Sequence, residues 1–424
     1  MRILIYHMRY RLDATGTGPL VADLATDLAA LGDDVRVVTS VPHYGMSEVP
    51  DEFRGRLIHR GADSGVRLWR TTGYARAQAN VLHRGLDYML YSALSVPAGI
   101  HSGACDVVLG IAPPITVGPV GWATARLRRC PFVFVAQDIW PDGLISMGNL
   151  RSRSAIAAFR LLEKIVYRVS SSIVVVSEGM KENLTAKGVP AAKIEVIPNW
   201  VDTDVIQPME RQNAFRTDLG LTDRFVVLFA GNLGFAADLE RVLGAARLLR
   251  GESRFVFLLV GSGSAKPALM QAAEGERLSN VVFVPTQPAN KLPEILAASD
   301  LSLVTLKKDM GRVSVPSKIY SYMASARAIL ACVPASSEAK RLIEESGCGV
   351  WVPPDAQQAL AQAIVEMSRD PSLLELMGQR GRQYAMKHCS RSAALAAYHR
   401  LLHDLVQSPS SGKAGSRRQE GAEG

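Results

Sequence analysis

A short stretch in the second half of the chain places a lysine where it could hold an anion. Leu301–Leu306 is a run of apolar and β-branched residues typical of a buried parallel strand. A charged loop follows, and Pro316 opens a predicted helix whose first turn contains Ser317 and Lys318. The first N–H groups of a helix attract anions, and Lys318 would add a full positive charge. The same pattern also fits an ordinary strand–helix unit with a surface lysine.

A glycine-bearing loop near the start of the chain is a second place where a ligand could approach the backbone. The apolar run Ile3–Tyr6 predicts a buried strand, and Pro19 opens a predicted helix with an apolar face. Between them the loop closes with Gly16, Thr17 and Gly18. Glycines at such a junction allow close approach to a ligand, although turn glycines are common and the signal is weak by itself.

Polar side chains follow other predicted strands. Asp138 comes shortly after the apolar run Phe132–Ala136, where it could act as a base or cap the start of a helix. His43 comes shortly after the strand Val35–Thr39, and a loop histidine in such a position is more often simply solvated. Open α/β sheets bind their ligands beyond the carboxyl ends of the strands, so both residues are candidates for a site.

Predicted strands and helices alternate along the whole chain, which favours parallel sheets with helices on both faces. A chain of 424 residues is too long for one ordinary core. We therefore predict an α/β fold of two Rossmann-like, doubly wound parallel-sheet domains that face each other across a cleft. The expected boundaries are residues 1–203 for the first domain, 204–384 for the second, 385–407 for a C-terminal helix that packs back on the first domain, and 408–424 for a disordered tail.

Composition and charge narrow the class of protein and its partners. With 48% hydrophobic and 21% charged residues, and five scattered cysteines without a Cys-x-x-Cys pair, the chain resembles a soluble protein of a reducing compartment. The formal net charge of +8 favours polyanionic partners, but no nucleic-acid-binding motif is present, so nucleic acid is not expected. Neither a signal peptide nor a transmembrane-length apolar run is found, which predicts a cytoplasmic protein.

The segment from Arg76 to His101 is very apolar and has basic residues near its start. It fits either a core helix or a helix that lies on a membrane surface or against a lipid acceptor. The second interpretation, together with the positive charge, predicts a peripheral protein on the inner face of the cytoplasmic membrane. Its contact surface would combine the apolar stretch Val81–Val96 with a basic rim of Arg76, Arg84, Arg126, Arg128 and Arg129.

Taken in order, these motifs resemble those of glycosyltransferase family 4, the retaining GT-B enzymes. The resemblance covers nearly the whole chain except the tail, and it extends to the bacterial branch that builds capsule, O-antigen and colanic-acid-type polysaccharides. No single motif is specific to this family, but the whole set of motifs in this order is. The matching motifs are Thr15-Gly16-Thr17-Gly18, Gln137-Asp138-Ile139-Trp140-Pro141-Asp142, Ile197-Pro198-Asn199-Trp200-Val201-Asp202, Ala230-Gly231-Asn232-Leu233-Gly234, Val315-Pro316-Ser317-Lys318-Ile319-Tyr320 and Gly347-Cys348-Gly349-Val350-Trp351-Val352-Pro353-Pro354.

The resemblance implies a retaining sugar transferase that uses neither a metal nor a cofactor. Its donor would be a nucleotide sugar, with a UDP-sugar favoured over a GDP-sugar, and its acceptor a polyprenyl-diphosphate-linked saccharide held by the first domain. Lys318 would stabilise the leaving diphosphate, with Asp138 and His43 as further catalytic candidates. Carried over by position, the donor-binding residues are Gly16, Thr17, Gly18, Asn232, Gly261, Val284, Pro285, Ser317, Lys318 and Ser321.

Two departures from the family pattern bear on activity. Many relatives have a pair of glutamates where this chain has Val313 and Ser321, which affects the contacts to the sugar and the ribose. Relatives also often have an arginine and a lysine where this chain has Asn232 and Ala237, which leaves the diphosphate short of cations. A non-catalytic, nucleotide-sugar-binding scaffold subunit and a sugar-nucleotide epimerase therefore stay open as alternatives. The cations expected to fill the deficit beside Lys318 are Lys307, Lys308 or Arg312.

Overall fold

The structure, a computed structural model, describes residues 1–12, 17–42, 48–73, 81–146, 150–311, 315–354 and 357–407. Two β-sheets organise these residues, and a separate hydrophobic cluster covers each face of each sheet. Six residues named in the sequence analysis lie outside the described residues, namely Thr15, Gly16, His43, Arg76, Arg312 and Val313, and so does the predicted tail, residues 408–424.

The first sheet contains eight strands. In chain order they are β1 (Arg2–Tyr6), β2 (Asp34–Ser40), β3 (Ile58–Asp63), β4 (Val66–Thr71), β5 (Val107–Ala112), β6 (Phe132–Ala136), β7 (Ser172–Val175) and β8 (Ile194–Val196). Across the sheet they lie in the order β3-β4-β2-β1-β5-β6-β7-β8, and every neighbouring pair is parallel except β3 and β4. The helices of this half are α1 (Gly18–Ala30), α2 (Val81–His101), α3 (Val117–Arg128), α4 (Asp142–Ser146), α5 (Arg153–Val169) and α6 (Glu178–Ala186).

The second sheet contains six strands, all parallel. They are β9 (Phe225–Ala230), β10 (Phe255–Val260), β11 (Val281–Val284), β12 (Leu301–Thr305), β13 (Ile329–Cys332) and β14 (Gly349–Val352), in the spatial order β11-β10-β9-β12-β13-β14. The helices are α7 (Ala214–Asp218), α8 (Leu239–Leu248), α9 (Lys266–Gly275), α10 (Leu292–Ala297), α11 (Lys318–Ala324), α12 (Glu338–Ser346), α13 (Gln357–Met367), α14 (Pro371–His388) and α15 (Arg391–Gln407). The predicted α/β architecture with two parallel sheets is confirmed.

An antiparallel hairpin at the edge of the first sheet was not predicted from the sequence. Its outer strand β3 has the sequence Ile-His-Arg-Gly-Ala-Asp and is largely accessible to solvent, so it lacks the apolar run that marks the buried strands. Ser64 and Gly65 turn the chain with φ of 48° and 87°, the left-handed conformations of a two-residue hairpin loop. The hairpin adds an edge to the sheet and does not alter the strands that lead to the cleft.

The chain crosses between the two halves twice, and the two crossings pair with each other. The Val201 N–H donates to the Cys389 carbonyl at 2.9 Å, and the Arg391 N–H donates to the Val201 carbonyl at 3.1 Å. Beyond this point α15 packs on the first half, where Tyr398 lies in the same hydrophobic cluster as Ile3. The Arg391 guanidinium anchors the start of α15 through two hydrogen bonds of 2.7 Å to Asp27 on α1.

The long helix α2 is buried on one side only. Tyr91 and Ala98 are buried against the first sheet, whereas Leu86 and Met89 on the opposite side are 66% and 63% exposed. The helix therefore packs one apolar face on the core, as expected of a core helix, and turns a second apolar face toward solvent. None of the helices within the described ranges is long and apolar enough to span a membrane.

Candidate active site

A cavity of about 770 Å³ opens at the carboxyl edge of the second sheet. The loops that follow β9, β10 and β11 form its walls, together with α10 and α11, and one residue of the first half reaches into it. This is the position where parallel α/β sheets bind their ligands, and the volume suits a small organic ligand. The lining residues are Arg9, Ala230, Gly231, Asn232, Val260, Gly261, Ser262, Thr286, Gln287, Pro288, Ala289, Leu292, Ile295, Leu296, Lys318, Ser321 and Tyr322.

Two glycines bring the loops after β9 and β10 into direct backbone contact. Gly231 and Gly261 have φ of 135° and 142°, a region that other residues rarely adopt. The Gly231 N–H donates to the Val260 carbonyl at 2.9 Å, and the Gly261 N–H donates to the Val284 carbonyl at 2.9 Å. A β-carbon at Gly261 would lie 2.0 Å from the Gly231 carbonyl oxygen. The absence of side chains at these two positions therefore shapes the floor of the cavity.

Lys318 is the first residue of α11 and points its ammonium group toward the end of β9. The nitrogen lies 3.1 Å from the centroid of the Phe229 ring. No carboxylate among the described residues forms an ion pair with it. Burial without a counter-ion lowers the pKa of Lys318 well below its ordinary value. An anion in the cavity would favour the charged form of Lys318.

His7 directly follows β1 in the first half of the chain and is buried. It was not among the residues predicted for the site. Its Nδ1–H donates to the Ile111 carbonyl at 2.8 Å, so Nε2 of the neutral ring accepts from the Thr17 hydroxyl, also at 2.8 Å. Burial lowers the pKa of His7 to about 4, which keeps the ring neutral near pH 7. This pair fixes Thr17 immediately before α1, whose first residue Gly18 is buried.

Asp138 lies between β6 and α4 at the carboxyl edge of the first sheet. Among the described residues it has neither a hydrogen bond nor an ion pair, so its side chain does not cap α4, which begins at Asp142. Burial raises the pKa of Asp138 to about 6. A carboxyl group with this pKa is suited to accept or donate a proton near neutral pH.

Asp138→Asn should stabilise the protein near neutral pH. Because the folded-state pKa of about 6 lies above the ordinary 3.8, folding opposes ionisation, and stability falls as the pH rises from about 4 to about 6. Asparagine cannot ionise, so the melting temperature should rise by roughly 2–4 °C at pH 7.5, with little change at pH 4. As a control, Asp142→Asn should be destabilising at pH 7.5, because Asp142 pairs with Lys187 at 2.8 Å. An equal or lower melting temperature for Asp138→Asn at pH 7.5 would contradict this interpretation.

The cavity gathers part of the residues named from the sequence. Asn232, Gly261, Lys318 and Ser321 line it. Val284 and Pro285 directly precede the wall formed by residues 286–289, and Ser317 is exposed at the start of α11. Thr17 and Gly18 lie at the start of α1 in the first half and are not among the lining residues, and Gly16 and His43 are outside the described residues. Lys307 and Lys308 are not among the lining residues, whereas Arg9, Thr286, Gln287 and Tyr322 line the cavity without having been predicted.

Tyr322 shows why some site residues escape a sequence analysis. Its hydroxyl accepts a hydrogen bond from the Ala230 N–H at 2.8 Å, across 92 positions of the chain. This contact ties α11 to the end of β9, which lie next to each other only in the folded sheet. The only signal in the sequence was the position of Tyr322 within the predicted helix after Pro316.

Two parallel-sheet domains with a ligand cavity at their facing edges define the GT-B class of glycosyltransferases. The solved structures agree with this assignment. Sucrose-phosphate synthase from Thermosynechococcus elongatus superposes with a TM-score of 0.76 at 16% identity, covering 95% of this chain and 98% of that chain. The Anabaena protein HepE in complex with UDP superposes with a TM-score of 0.72 at 18% identity, covering 95% and 100%.

Sequence comparisons identify the family. Residues 15–200 match the Glycosyl transferase 4-like domain, and residues 224–370 match the Glycosyl transferases group 1 domain. The colanic acid biosynthesis glycosyl transferase WcaI of Escherichia coli K12 is 27% identical over 407 residues, which span 94% of this chain and 98% of that protein. The chain belongs to glycosyltransferase family 4.

Proposed function

We propose that the protein transfers a sugar, with retention of configuration, from a nucleotide-sugar donor to a polyprenyl-diphosphate-linked saccharide. A UDP-sugar is favoured as the donor, a GDP-sugar is the alternative, and the transfer serves the synthesis of a cell-surface polysaccharide. The observation that carries the proposal is the cavity beside Lys318, where the described lining residues include cations and no carboxylate. The UDP complex of HepE and the role in colanic acid biosynthesis carried in the name of WcaI support the choice of donor and pathway class.

In the proposed reaction, the group that most needs stabilisation is the departing nucleoside diphosphate. As the bond between the sugar and the diphosphate breaks, the sugar gains oxocarbenium character and the diphosphate gains negative charge. A lysine already held in place stabilises that charge without reorganising, which is the usual source of a large rate effect in a partly dry site. Asp138 lies after β6 at the carboxyl edge of the first sheet and is a candidate for handling a proton of the acceptor. The reaction in this form takes its stabilising charge from the protein and does not require a metal.

A donor panel tests the proposed function against its alternatives. The purified protein would be incubated with UDP-, GDP- and dTDP-sugars, with and without a polyprenyl-diphosphate-linked saccharide. Release of nucleoside diphosphate together with a new glycoside, whose anomeric configuration matches the donor, is the expected result. A changed sugar that stays on the nucleotide would instead indicate an epimerase, and saturable binding without turnover would indicate a scaffold subunit.

We further propose that the first domain docks on the inner face of the cytoplasmic membrane. The helices α2, α3 and α5 lie side by side, and each exposes large apolar side chains to solvent. The sequence of α3 has no acidic residue, and the only one in α5, Glu163, is buried and bonded to Lys187 at 2.6 Å. The exposed residues of this face, which we call the docking face, are Leu86, Met89, Ile100, Trp122, Arg126, Leu127, Arg129, Arg160, Leu161, Lys164, Ile165 and Arg168.

The structure revises the predicted basic rim of this surface. Arg128 is half-buried and donates a hydrogen bond to the Ile100 carbonyl at 2.7 Å, so it joins α3 to α2 and is less available to a headgroup. The cations of α5, which were not part of the prediction, replace it. Positive charge beside exposed apolar side chains is the combination that binds anionic bilayers.

Vesicle flotation should show binding that depends on both charge and apolar contact. Wild-type protein should float with vesicles containing anionic lipid at low salt and be partly released at high salt, because headgroup attraction is screened within about 8 Å at physiological ionic strength. The double variant Leu161→Gln/Ile165→Gln should reduce the bound fraction several-fold. A matched double variant on the second domain, Leu376→Gln/Met386→Gln, removes exposed apolar residues of 42% and 53% exposure and should bind as wild type does. Equal recovery with neutral and anionic vesicles at every salt concentration would overturn the docking proposal.

A further inference from the structure

We propose that Arg9, a residue of the first domain, supplies the second positive charge to the donor diphosphate held in the second domain. The inference rests on the proposed function, because it names a residue that would contact the donor in that reaction. It also identifies a source for the positive charge that is missing at Asn232 and Ala237, where relatives often have an arginine and a lysine.

Arg9 differs from the other described lining residues because it belongs to the first domain. It lies shortly after β1, in the loop at the carboxyl edge of the first sheet. Every other described residue that lines the cavity comes from the second half of the chain, between Ala230 and Tyr322. Arg9 therefore reaches across the cleft, and the cavity has its full lining only when the two domains face each other.

The charge pattern of the cavity indicates what Arg9 would bind. Arg9 and Lys318 are the charged residues among the described lining residues, and both are cations. The loops after β9 and β10 contribute Asn232 and Ser262, which are neutral. Since the described lining residues include these two cations and no carboxylate, the cavity favours a ligand with two negative charges, and the diphosphate of a nucleotide sugar has them.

Nearby lysines of the second domain are committed to other contacts. The Lys266 ammonium donates to the Gly261 carbonyl at 3.0 Å. The Lys307 ammonium lies 5.5 Å from the centroid of the Phe235 ring and is not part of the lining. Arg9 is therefore the described lining cation, besides Lys318, that could take the place of the charge relatives often carry on the loop after the first strand of this domain.

An arginine suits this position better than a second lysine would. Burial lowers the pKa of Lys318, whereas a guanidinium keeps its charge in a poorly hydrated cleft. Its planar set of donors also matches the oxygens of a phosphate group. His7, near Arg9, stays neutral because burial and, to a smaller extent, the Arg9 charge lower its pKa to about 4.

Ligand binding to three single variants tests the inference. Affinities for UDP and for uridine would be measured by calorimetry on the full chain carrying Arg9→Gln, Arg9→Lys or Arg11→Gln. Arg11 is the matched control, because it belongs to the same loop but its guanidinium bonds to Asp63 at 2.9 Å. We expect Arg9→Gln to weaken UDP binding on the order of 10- to 100-fold, the loss usual for a hydrogen bond to a charged group, with uridine binding nearly unchanged. Arg9→Lys should fall in between, and Arg11→Gln should bind UDP as wild type does.

The outcomes separate this inference from the proposed function. If wild-type protein binds none of UDP, GDP and dTDP, the proposed function is wrong, and the role of Arg9 falls with it. If wild-type protein binds UDP and Arg9→Gln binds it equally well, the inference alone is wrong. An equal loss of UDP and uridine binding in Arg9→Gln, at an unchanged melting temperature, would also overturn it, because the effect would not then depend on the diphosphate.

Discussion

Replacing Lys318 with alanine should lower kcat/KM for sugar transfer by roughly 30- to 1,000-fold, or about 2–4 kcal/mol of transition-state stabilisation. The ammonium group lies 3.1 Å from the Phe229 ring centroid and has no ion-pair partner among the described residues. An anionic ligand would therefore supply its counter-charge. The contact should strengthen as the leaving diphosphate gains charge, and kcat should therefore fall with kcat/KM. Steady-state kinetics with the donor identified by the panel would measure both values.

Stability measurements distinguish this role of Lys318 from a structural one. Because burial lowers the pKa of Lys318, its charged form opposes folding at neutral pH, and its removal should not destabilise the protein. Lys318→Met should therefore melt at the same temperature as wild type or higher, while losing turnover. Lys307→Ala is a suitable control, because Lys307 does not line the cavity, and it should retain turnover within about threefold. Near-normal turnover by folded Lys318→Ala would refute the assignment.

Gly261→Ala should distort the cavity more than any change of a single polar group. The added β-carbon would lie 2.0 Å from the Gly231 carbonyl oxygen, and the backbone φ of 142° already disfavours alanine. Either the two loops separate, or the hydrogen bond from the Gly261 N–H to Val284 breaks. We expect a loss of roughly 3 kcal/mol or more in unfolding free energy, together with loss of UDP binding. Chemical denaturation and calorimetry would measure the two effects.

A second glycine of the same domain provides the control for this change. A β-carbon at Gly275, the last residue of α9, would meet no heavy atom within 4 Å. Gly275→Ala should therefore leave the cavity intact and be neutral or slightly stabilising, since alanine is the better helix former. If Gly261→Ala had the stability and UDP affinity of Gly275→Ala, the close packing of the two loops would not matter to the site.

Much of the fold could be predicted because buried parallel strands leave a strong signal. β6 and β10 are buried on both faces and appear in the sequence as unbroken apolar runs, and β1 and β12 depart from such a run only at Arg2, Ser302 and Thr305. The hairpin strand β3 lacks this signal, because it lies at the sheet edge and its residues are mostly polar or small. Its pairing with β4 depends on a neighbour that the pattern of β3 alone does not reveal.

Only those site residues that follow a strand closely in the sequence could be predicted. Lys318, Asn232 and Gly261 each follow a strand within the same domain, and strand ends are where such sheets bind ligands. Arg9 and Tyr322 belong to the cavity for a different reason, since their places depend on how distant segments meet. The orientation of one domain toward the other is a property of the folded chain, and the spacing of residues along the sequence does not encode it directly.

The return of α15 to the first domain has a consequence for how the protein is made. The hydrophobic cluster on one face of the first sheet includes Tyr398 and Leu402, which a ribosome adds only after the whole second sheet has been synthesised. The second sheet is built from one continuous stretch and is complete before α15 begins. The domain that starts first is therefore finished last, and its apolar surface beneath α15 stays uncovered during most of the time that translation takes.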